Sequence, residues 1–358
     1  MRRKLLAILC TLALVCTANL VLPVTRAAAE ETGRAYYISS LHGDNQNDGT
    51  SPDKAWQTLD KLTGIQFGPG DRILLEAGSI FQDGFIHLRD VSGTPEAPIE
   101  INKYGEGADP IIATNGQGIW YQDYGKSLDS SSHRYKGYVS SSILLYDAEY
   151  VEVSNIEMTN DDVFYNVDYS DLNKMNRTGV AVVAQNRGTV DHVYLKNLNV
   201  HDVDGNVYDK HMNNGGIYFT VFQPKNEAET GISRYDDVLI EGCEVNTVSR
   251  WGIAVGYTAY WNQFTTAEIS DEVSETYGST NVVIRNNYIK DAGGDAITTM
   301  YCHRPLIEYN VSDGAAREIN PEIYSQTATG RVAAGIWPWK CKDAVFQYNE
   351  AFDTCQNQ

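Results

Sequence analysis

The chain has 358 residues, of which 42% are hydrophobic and 21% are charged, and its formal net charge at pH 7 is −19. This acidic balance excludes nucleic acids and anionic membrane surfaces as expected partners, because both select for basic proteins. The length allows for two domains, but no low-complexity tract or Pro-rich linker divides the chain, so one domain is sufficient.

The N-terminal segment is typical of a secretory signal peptide. Residues 2–4 are basic, residues 5–22 form an apolar run, and three alanines at residues 27–29 offer a cleavage site. We predict a signal peptide over residues 1–29 with cleavage near Ala29, and hence a secreted or cell-surface protein without membrane contact after cleavage. A retained membrane anchor is the alternative, since the apolar run is nearly long enough to span a bilayer.

The mature chain is predicted to begin with a cap. A strand at residues 36–40 and a polar turn at residues 43–50 precede an amphipathic stretch at residues 55–62, which predicts a short helix. A turn and a further strand occupy residues 68–78. We expect the helix to cover the first open sheet edge, and we assign residues 30–110 to the N-terminal cap and the first coils.

Residues 111–358 repeat a unit of two strands. The first strand follows the pattern apolar-x-apolar-x-Asn, as at residues 151–155, and the second begins with Gly, as at residues 252–255. One stretch occurs twice in similar form: residues 297–310 align without a gap on residues 336–349 at an offset of 39. Such repeats build stacked solenoids, and alternation with period two indicates strands. We therefore predict an all-β, right-handed parallel β-helix of the pectin-lyase-like type, with the recurring asparagines stacked as a ladder.

The second strands of the units assign side chains to the two faces of a sheet. Four isoleucines are predicted to point into the core, namely Ile217, Ile253, Ile297 and Ile336. Tyr218, Trp337 and Trp339 then point outward. Outward tryptophans bring no benefit to a core, so we predict an aromatic platform for the apolar faces of sugar rings. The alternative is a loop that folds over them.

Residues beside these strands are further candidates for a site. Asp295 stands at a tight corner, where it is either a catalytic carboxylate or an acceptor for backbone N–H groups. Arg250, Trp251 and His303 flank Gly-led or related strands and are candidate substrate contacts, with a packed surface role as the alternative. Three aromatic residues in the insertion after residue 255 are expected to wall the same groove, namely Tyr257, Tyr260 and Trp261.

Metal binding and cysteine pairing stay open at the level of sequence. Oxygen-bearing side chains at residues 44–48 and 202–211 would suit Ca²⁺, but a solvated turn and a flexible polar loop are the alternatives, and no cofactor or metal ligand set is assigned. Zinc is disfavoured because nitrogen and sulfur ligands are few. Cys302 and Cys341 share one register in successive copies, a spacing of roughly 4.8 Å that is compatible with a disulfide or with two stacked thiols.

These motifs resemble those of known secreted proteins. The entry at residues 36–75 is similar to that of bacterial carbohydrate-active β-helix proteins of the pectate-lyase superfold, a feature that lyases and hydrolases share. The stretches at residues 282–288, 293–297, 305–310 and 334–339 resemble the β-helix glycoside hydrolases of the lacto-N-biosidase type. The resemblance covers about nine-tenths of the chain. It implies a glycoside hydrolase that acts on a neutral or amino-sugar oligosaccharide or polysaccharide.

The resemblance also implies a pair of aspartates that perform a retaining reaction on the central coils. The sequence ends just after a strand, without a capping helix, so we expect further coils and this pair beyond Gln358. Two other classes remain: a polysaccharide lyase acting on a uronate polymer, which the few basic residues near the groove disfavour, and a non-catalytic glycan-binding β-helix. Whether a helper chain or chaperone assists folding stays open.

Overall fold

The computed structural model describes residues 33–128, 134–161, 175–319 and 333–355. The predicted signal peptide lies outside these ranges. Within them, no helix is long and apolar enough to cross a membrane.

The described residues form a right-handed parallel β-helix, as predicted. Successive coils pass through three sheets, here called A, B and C, and the strands are numbered in chain order. Sheet A contains β1 (Ala35–Ile38), β2 (Arg72–Glu76), β5 (Ile99–Tyr104), β9 (Val151–Ser154), β12 (Thr189–Lys196), β15 (Arg234–Glu241), β18 (Ser279–Arg285), β21 (Cys302–His303), β22 (Leu306–Glu308) and β25 (Val345–Gln347). Sheet B contains β3 (Ile80–Gln82), β6 (Ile111–Ala113), β10 (Glu157–Asn160), β13 (Asn199–Val203), β16 (Glu244–Val248), β19 (Tyr288–Ala292), β23 (Val311–Asp313) and β26 (Glu350–Phe352).

Sheet C completes each coil. It contains β4 (Ile86–Arg89), β7 (Ile119–Asp123), β8 (Lys136–Tyr146), β11 (Asn176–Ala184), β14 (Gly215–Val221), β17 (Trp251–Thr258), β20 (Ile297–Met300) and β24 (Ile336–Trp339). All of its pairings are parallel except that of β7 with β8, which form a hairpin. The helices are short: α1 (Glu227–Thr230), α2 (Asp271–Tyr277), and 3₁₀ turns at Pro52–Lys54, Leu59–Leu62 and Trp261–Gln263.

The repeat at an offset of 39 corresponds to the pairing of neighbouring strands. Ile297 pairs with Ile336 between β20 and β24, and Leu306 pairs with Val345 between β22 and β25. The predicted inward isoleucines of β14, β17 and β20 lie fully buried in the main core, and Ile336 packs against it. The period-two assignment of faces in sheet C is therefore confirmed.

The Gly-led start of the sheet C strands has a steric cause. A Cβ atom at Gly252 would lie 2.4 Å from the carbonyl oxygen of Ala296 on the next coil, and one at Gly216 would lie 2.5 Å from that of Gly252. No side chain fits at such a distance. Glycine at this corner therefore lets neighbouring coils approach closely, which explains why the motif recurs along the sequence.

The predicted asparagines form two rows in different registers, because the Asn197 amide donates to Asn155 at 3.4 Å in the corner register, one residue before the main ladder. The Asn287 amide donates to Asn310 at 2.9 Å, and the Asn310 amide donates to Asn349 at 3.0 Å. Asn286, which the motif had placed in the ladder, lies one residue earlier with φ of 56°. In this left-handed conformation, which Asn tolerates, the residue turns the corner while its neighbour Asn287 points inward.

The helix predicted at residues 55–62 is wrong. Ala55 (φ −59°, ψ 147°) and Thr58 (φ −126°, ψ 154°) are extended, and only Leu59–Leu62 closes a 3₁₀ turn. The reason is tertiary, since the Trp56 backbone hydrogen-bonds to β1 through Tyr37 at 2.9 Å and Ser39 at 2.8 Å. Strand-like pairing thus prevails over local helix propensity, while the apolar side chains of the segment still join the main core.

The four described cysteines are free thiols, Cys302 and Cys341 among them. A hydrogen bond with the Cys341 thiol, together with burial, holds the pKa of Cys302 well above its ordinary value. Within the four described ranges, no group of three His, Cys, Asp or Glu side chains could hold a metal ion. In the turn at residues 44–48, the Asn45 side chain instead accepts bonds from the Gln57 and Thr58 amides.

Candidate functional site

A cavity of about 490 Å³ opens on the outer face of sheet C, over β17, β20 and β24. Its walls come from the strands themselves and from insertions between coils, at residues 204–214 before β14 and 259–278 after β17. Most of the lining is aromatic, contributed by Trp251, Tyr257, Trp261, Phe264, Tyr301, Trp337 and Trp339. The volume falls in the range of small-molecule sites, which are mostly apolar with a few polar groups.

Trp337 and Trp339 form one wall of this cavity, as the outward register of β24 predicts. Pro338 separates them, and their ring centroids lie 5.9 Å apart at an interplanar angle of 59°. Trp339 is 44% exposed, whereas the Trp337 indole N–H donates to Asp295 Oδ1 at 2.8 Å. One tryptophan is thus fixed in orientation from behind, and the other presents its ring to solvent.

Tyr218 points outward from β14, as predicted, but it lies beneath the cavity and is fully buried. Its ring stacks on Trp251 at 6.0 Å and 17°, and its hydroxyl donates to the Lys210 carbonyl at 3.1 Å. The Trp251 indole donates to the same carbonyl at 3.2 Å. The expectation that Tyr218 offers an exposed ring is therefore corrected, because the insertion at residues 204–214 covers it, while Trp251 does line the cavity.

The insertion at residues 204–214 also differs from the sequence-based expectation. Asp204, Asn206, Asp209 and His211 are all buried, so this segment is a packed wall rather than the flexible polar loop the sequence favoured. The Asp209 carboxylate accepts a bond from Asn176 at 3.0 Å, and burial raises its pKa above the ordinary value.

Arg250 and Asp295 form a buried ion pair behind the lining. The Arg250 guanidinium donates to Asp295 Oδ2 at 3.1 Å and lies over the Trp251 ring at 4.7 Å. Arg250 contributes to the cavity lining, but Asp295 is fully buried and does not. Burial raises the pKa of Asp295, and the Arg250 charge opposes that rise. The corner-acceptor alternative describes this position, since Asp295 Oδ1 accepts a bond from the Ala334 amide at 2.9 Å.

His303 is separated from the cavity. Its ring packs under α2, with Nδ1 2.9 Å from the Ser274 hydroxyl and Nε2 3.5 Å from Glu275. Helix α2, whose N-cap Ser270 accepts a bond from Val273, packs on β21, the strand that contains His303, and shields this histidine. The structure therefore brings Trp337, Trp339, Trp251 and Arg250 together and leaves His303 and Tyr218 outside the lining. Trp261 and Tyr257 line the groove as expected, whereas Tyr260 does not.

Sequence reasoning missed Tyr301, Lys210 and other lining residues, whereas Lys340 is one of the few basic residues that it placed near the groove. Tyr301 and Lys340 stand at the offset of 39, and both adopt left-handed backbone angles, with φ of 56° and 53°. The repeat therefore contained the signal for this pair, at the position just after the outward strand. Lys210 and His211 carry no such signal, because they come from the insertion that precedes β14.

The charge of the lining is opposite to that of the chain. It includes Lys210, Arg250 and Lys340, and no carboxylate lines the cavity within residues 33–128, 134–161, 175–319 and 333–355. The Lys340 ammonium donates to the Thr266 carbonyl at 2.8 Å, which ties β24 to the insertion after β17. The site thus offers aromatic faces and hydrogen-bond donors, a combination that binds neutral hydroxylated rings and the oxygens on them.

No model of a protein family matches this chain. It is 47% identical to a lacto-N-biosidase from Bifidobacterium longum subsp. longum, over 91% of this chain and 23% of that protein. Among solved structures, it is similar to the GH136 lacto-N-biosidase from Eubacterium ramulus in two forms, a selenomethionine derivative and the native protein.

The TM-scores for those two forms are 0.87 and 0.85, each at 53% identity. The matches cover 91% and 89% of this chain and 53% and 51% of the solved chains. The chain therefore spans about half the length of the solved relatives and about a quarter of the curated one. Such identity over nearly the whole chain shows homology and extends to the strands that carry the cavity.

Proposed function

We propose that this chain, a homologue of GH136 lacto-N-biosidases over about nine-tenths of its length, acts as a glycoside hydrolase on glycans that carry a lacto-N-biose unit. The single observation that carries the proposal is the aromatic cavity on sheet C, on a scaffold that is 53% identical to a solved lacto-N-biosidase. Within this cavity, the Trp337–Trp339 wall is the part best suited to a sugar.

The aromatic rings would bind the apolar face of a sugar. Trp339 is exposed at the rim, and Trp337 is held at a fixed angle to it, so a ring that stacks on one meets the edge of the other. Large rigid rings bury much area at a small cost in conformational entropy. We expect this wall to set the affinity and the orientation of the disaccharide.

The cationic groups would bind sugar oxygens. Arg250 and Lys340 both line the cavity, and both are already held by hydrogen bonds within the protein. Preorganised donors lose little freedom when a hydroxyl or an acetamido oxygen accepts from them. They would therefore select for sugars that carry such oxygens at the matching positions of the ring.

The hydrolysis itself needs two carboxyl groups, one on each side of the scissile bond. Because no carboxylate lines the cavity among the residues the structure describes, we propose that this pair comes from a part of the protein outside those residues. The described coils would then bind and orient the glycan against it.

The test uses the full-length protein and an oligosaccharide that ends in lacto-N-biose. Chromatography of the products should show release of the disaccharide. The variant Trp337→Ala should reduce binding of the disaccharide about tenfold or more, as loss of a central aromatic contact does. The matched control is Tyr138→Ala, an exposed aromatic residue on the β7–β8 hairpin that does not line the cavity, and it should behave like the wild type.

Other outcomes would change the assignment. Disaccharide binding without any product would indicate a non-catalytic glycan-binding protein. Products that absorb in the ultraviolet as unsaturated uronates would indicate a lyase. If the protein neither binds nor cleaves the substrate, the proposal is overturned.

We also propose export through the segment at residues 1–29. N-terminal sequencing of the protein from the culture medium should find a start near Glu30, and an uncleaved membrane-bound product would overturn this part.

A further inference from the structure

Asp295 connects three successive coils behind the cavity. Its Oδ2 accepts from the Arg250 guanidinium, which precedes β17, and its Oδ1 accepts from the Ala334 amide and the Trp337 indole on the coil of β24. Asp295 itself precedes β20, the strand between those two in sheet C. Both of its oxygens are therefore occupied by partners on neighbouring coils.

The partners of Asp295 reach the cavity, although Asp295 does not. Arg250 and Trp337 both line it, and the carboxylate that joins them is fully buried, as is the Arg250 guanidinium. A carboxylate that is not exposed to the cavity cannot transfer a proton to a glycan bound there. Its oxygens can, however, determine where the guanidinium and the indole point.

Loss of this carboxylate would release both groups. The Trp337 indole has no other hydrogen bond within the described residues, and the buried Arg250 guanidinium would lose the carboxylate oxygen that holds it beside Trp251. Removing one charge of a buried pair is the costly case for an ion pair, so the guanidinium would no longer be fixed in this position. The orientation of one wall of the cavity therefore depends on a residue behind it.

We propose that Asp295 is a positioning residue for the glycan site, which holds Trp337 and Arg250 in the geometry that binds the sugar ring. This inference rests on the proposed function and assigns the site one further determinant of affinity. It also gives a role to a carboxylate that sequence alone had offered as a catalytic group.

The experiment compares Asp295→Asn, Trp337→Phe and the double variant in the full-length protein. Asn keeps the shape of the side chain but removes its charge, and it replaces with a donor one of the two oxygens that accept from Arg250 and Trp337. Phe keeps an aromatic ring but removes the indole N–H. We expect each single variant to raise KM for a lacto-N-biose-terminated substrate about tenfold, the size of one lost charge-assisted hydrogen bond, with kcat within about threefold. The double variant should be close to either single one, because the two residues act through one contact.

A second readout needs no glycan. Acrylamide quenching of tryptophan fluorescence should increase in Asp295→Asn, and this increase should vanish in the Trp337→Phe background. If the wild type fails to cleave the substrate, the proposed function fails, while this measurement still decides whether Asp295 holds Trp337.

The matched control is Asp147→Asn. Asp147 is also a buried carboxylate that links coils, since it accepts from the Gln185 amide at 2.6 Å, but it does not line or support the cavity. It should change neither KM nor the quenching. A loss of kcat of about 100-fold or more in Asp295→Asn at constant KM would overturn the proposal in favour of catalysis. Unchanged KM and quenching in that variant would overturn it as well, and if Asp295→Asn does not fold, an unchanged KM in Trp337→Phe does so.

Discussion

Sheets A and C are built by the same coils, yet their outer faces differ. In β15 of sheet A, buried and partly exposed residues alternate, and the outward side chains form a row of charges, such as Glu241 with Arg285 at 2.7 Å. In β14 of sheet C, all seven residues are buried, because insertions pack a second layer of aromatic side chains over the strand.

The difference shows where a solenoid can acquire a site. A strand with one face in water needs polar side chains at every second position. A strand that is covered on both faces can hold apolar and aromatic side chains at those positions. The insertions of sheet C do not close completely, and the remaining gap is the cavity. The candidate site thus lies on the face where coils depart from the bare repeat.

The largest expected effect tests the covered face by removing its central ring. Trp251→Ala deletes a fully buried side chain that stacks on Tyr218 and contributes to the cavity floor. We expect a loss of about 3–5 kcal/mol in the free energy of unfolding, measured by guanidinium chloride denaturation. The matched variant on the open face is Leu239→Ala in β15, which should cost less than about 1 kcal/mol. Equal losses would show that the two faces do not differ in packing.

A pH titration should separate the covered face from the open ones. Burial on the outer side of β4 lowers the pKa of His87 to about 4, so this ring is neutral in the folded protein, while an unfolded histidine titrates near 6.5. The unfolded state therefore binds the extra proton first, and stability should fall as the pH drops from about 6.5 to about 4, by roughly 3 kcal/mol for this group.

His201 on sheet B should behave in the opposite way. It lies between Asp202 and Glu157 and is partly exposed, and although burial opposes it, hydrogen bonds to these carboxylates raise its pKa. Its contribution is present below its unfolded pKa and is lost as the pH rises through the folded value. Denaturation curves of His87→Gln and His201→Gln should show this contrast, and a wild-type acid sensitivity that persists in His87→Gln would contradict the assignment.

The smallest effect concerns the charged row of sheet A. Arg285→Gln removes the ion pair with Glu241. The Arg285 side chain is 39% exposed and the Glu241 side chain is 30% exposed. Water screens such a pair, so we expect a loss of about 0.2–1 kcal/mol that shrinks further in 1 M NaCl. A larger, salt-independent loss in thermal or chemical denaturation would mean that this face is less open than its exposure indicates.

Much of the architecture was predictable from the repeat. The offset of 39 residues reproduced the pairing of Ile297 with Ile336, and alternation with period two placed both tryptophans of β24 on the outer face. The asparagine ladder was predicted one residue out of register at Asn286, because the motif marks the corner residue and not the one that follows it. The helix at residues 55–62 failed because hydrogen bonds to β1 are not visible in a local pattern.

The candidate site was predictable only in part. Trp337, Trp339, Trp251 and Arg250 meet in one cavity, as the outward register and their places beside it suggested. Tyr218 and His303 carried the same kinds of signal but are covered by the segments around residue 210 and by α2. Which outward residues stay accessible depends on how an insertion folds back over the sheet. Insertions lack the periodicity from which strands can be predicted.

By itself, the amino-acid sequence determined the coil. Inward isoleucines, corner glycines and asparagines recur at fixed spacing. The isoleucines are buried in the core, the glycines leave room for the backbone of the next coil, and the asparagines hydrogen-bond to their copies on that coil. The tertiary structure alone decided that Asp295 lies behind the cavity wall and that Arg250 lines it. The repeat predicts which coils are neighbours, but it does not specify how the side chains of Arg250, Asp295 and Trp337 turn towards one another between those coils.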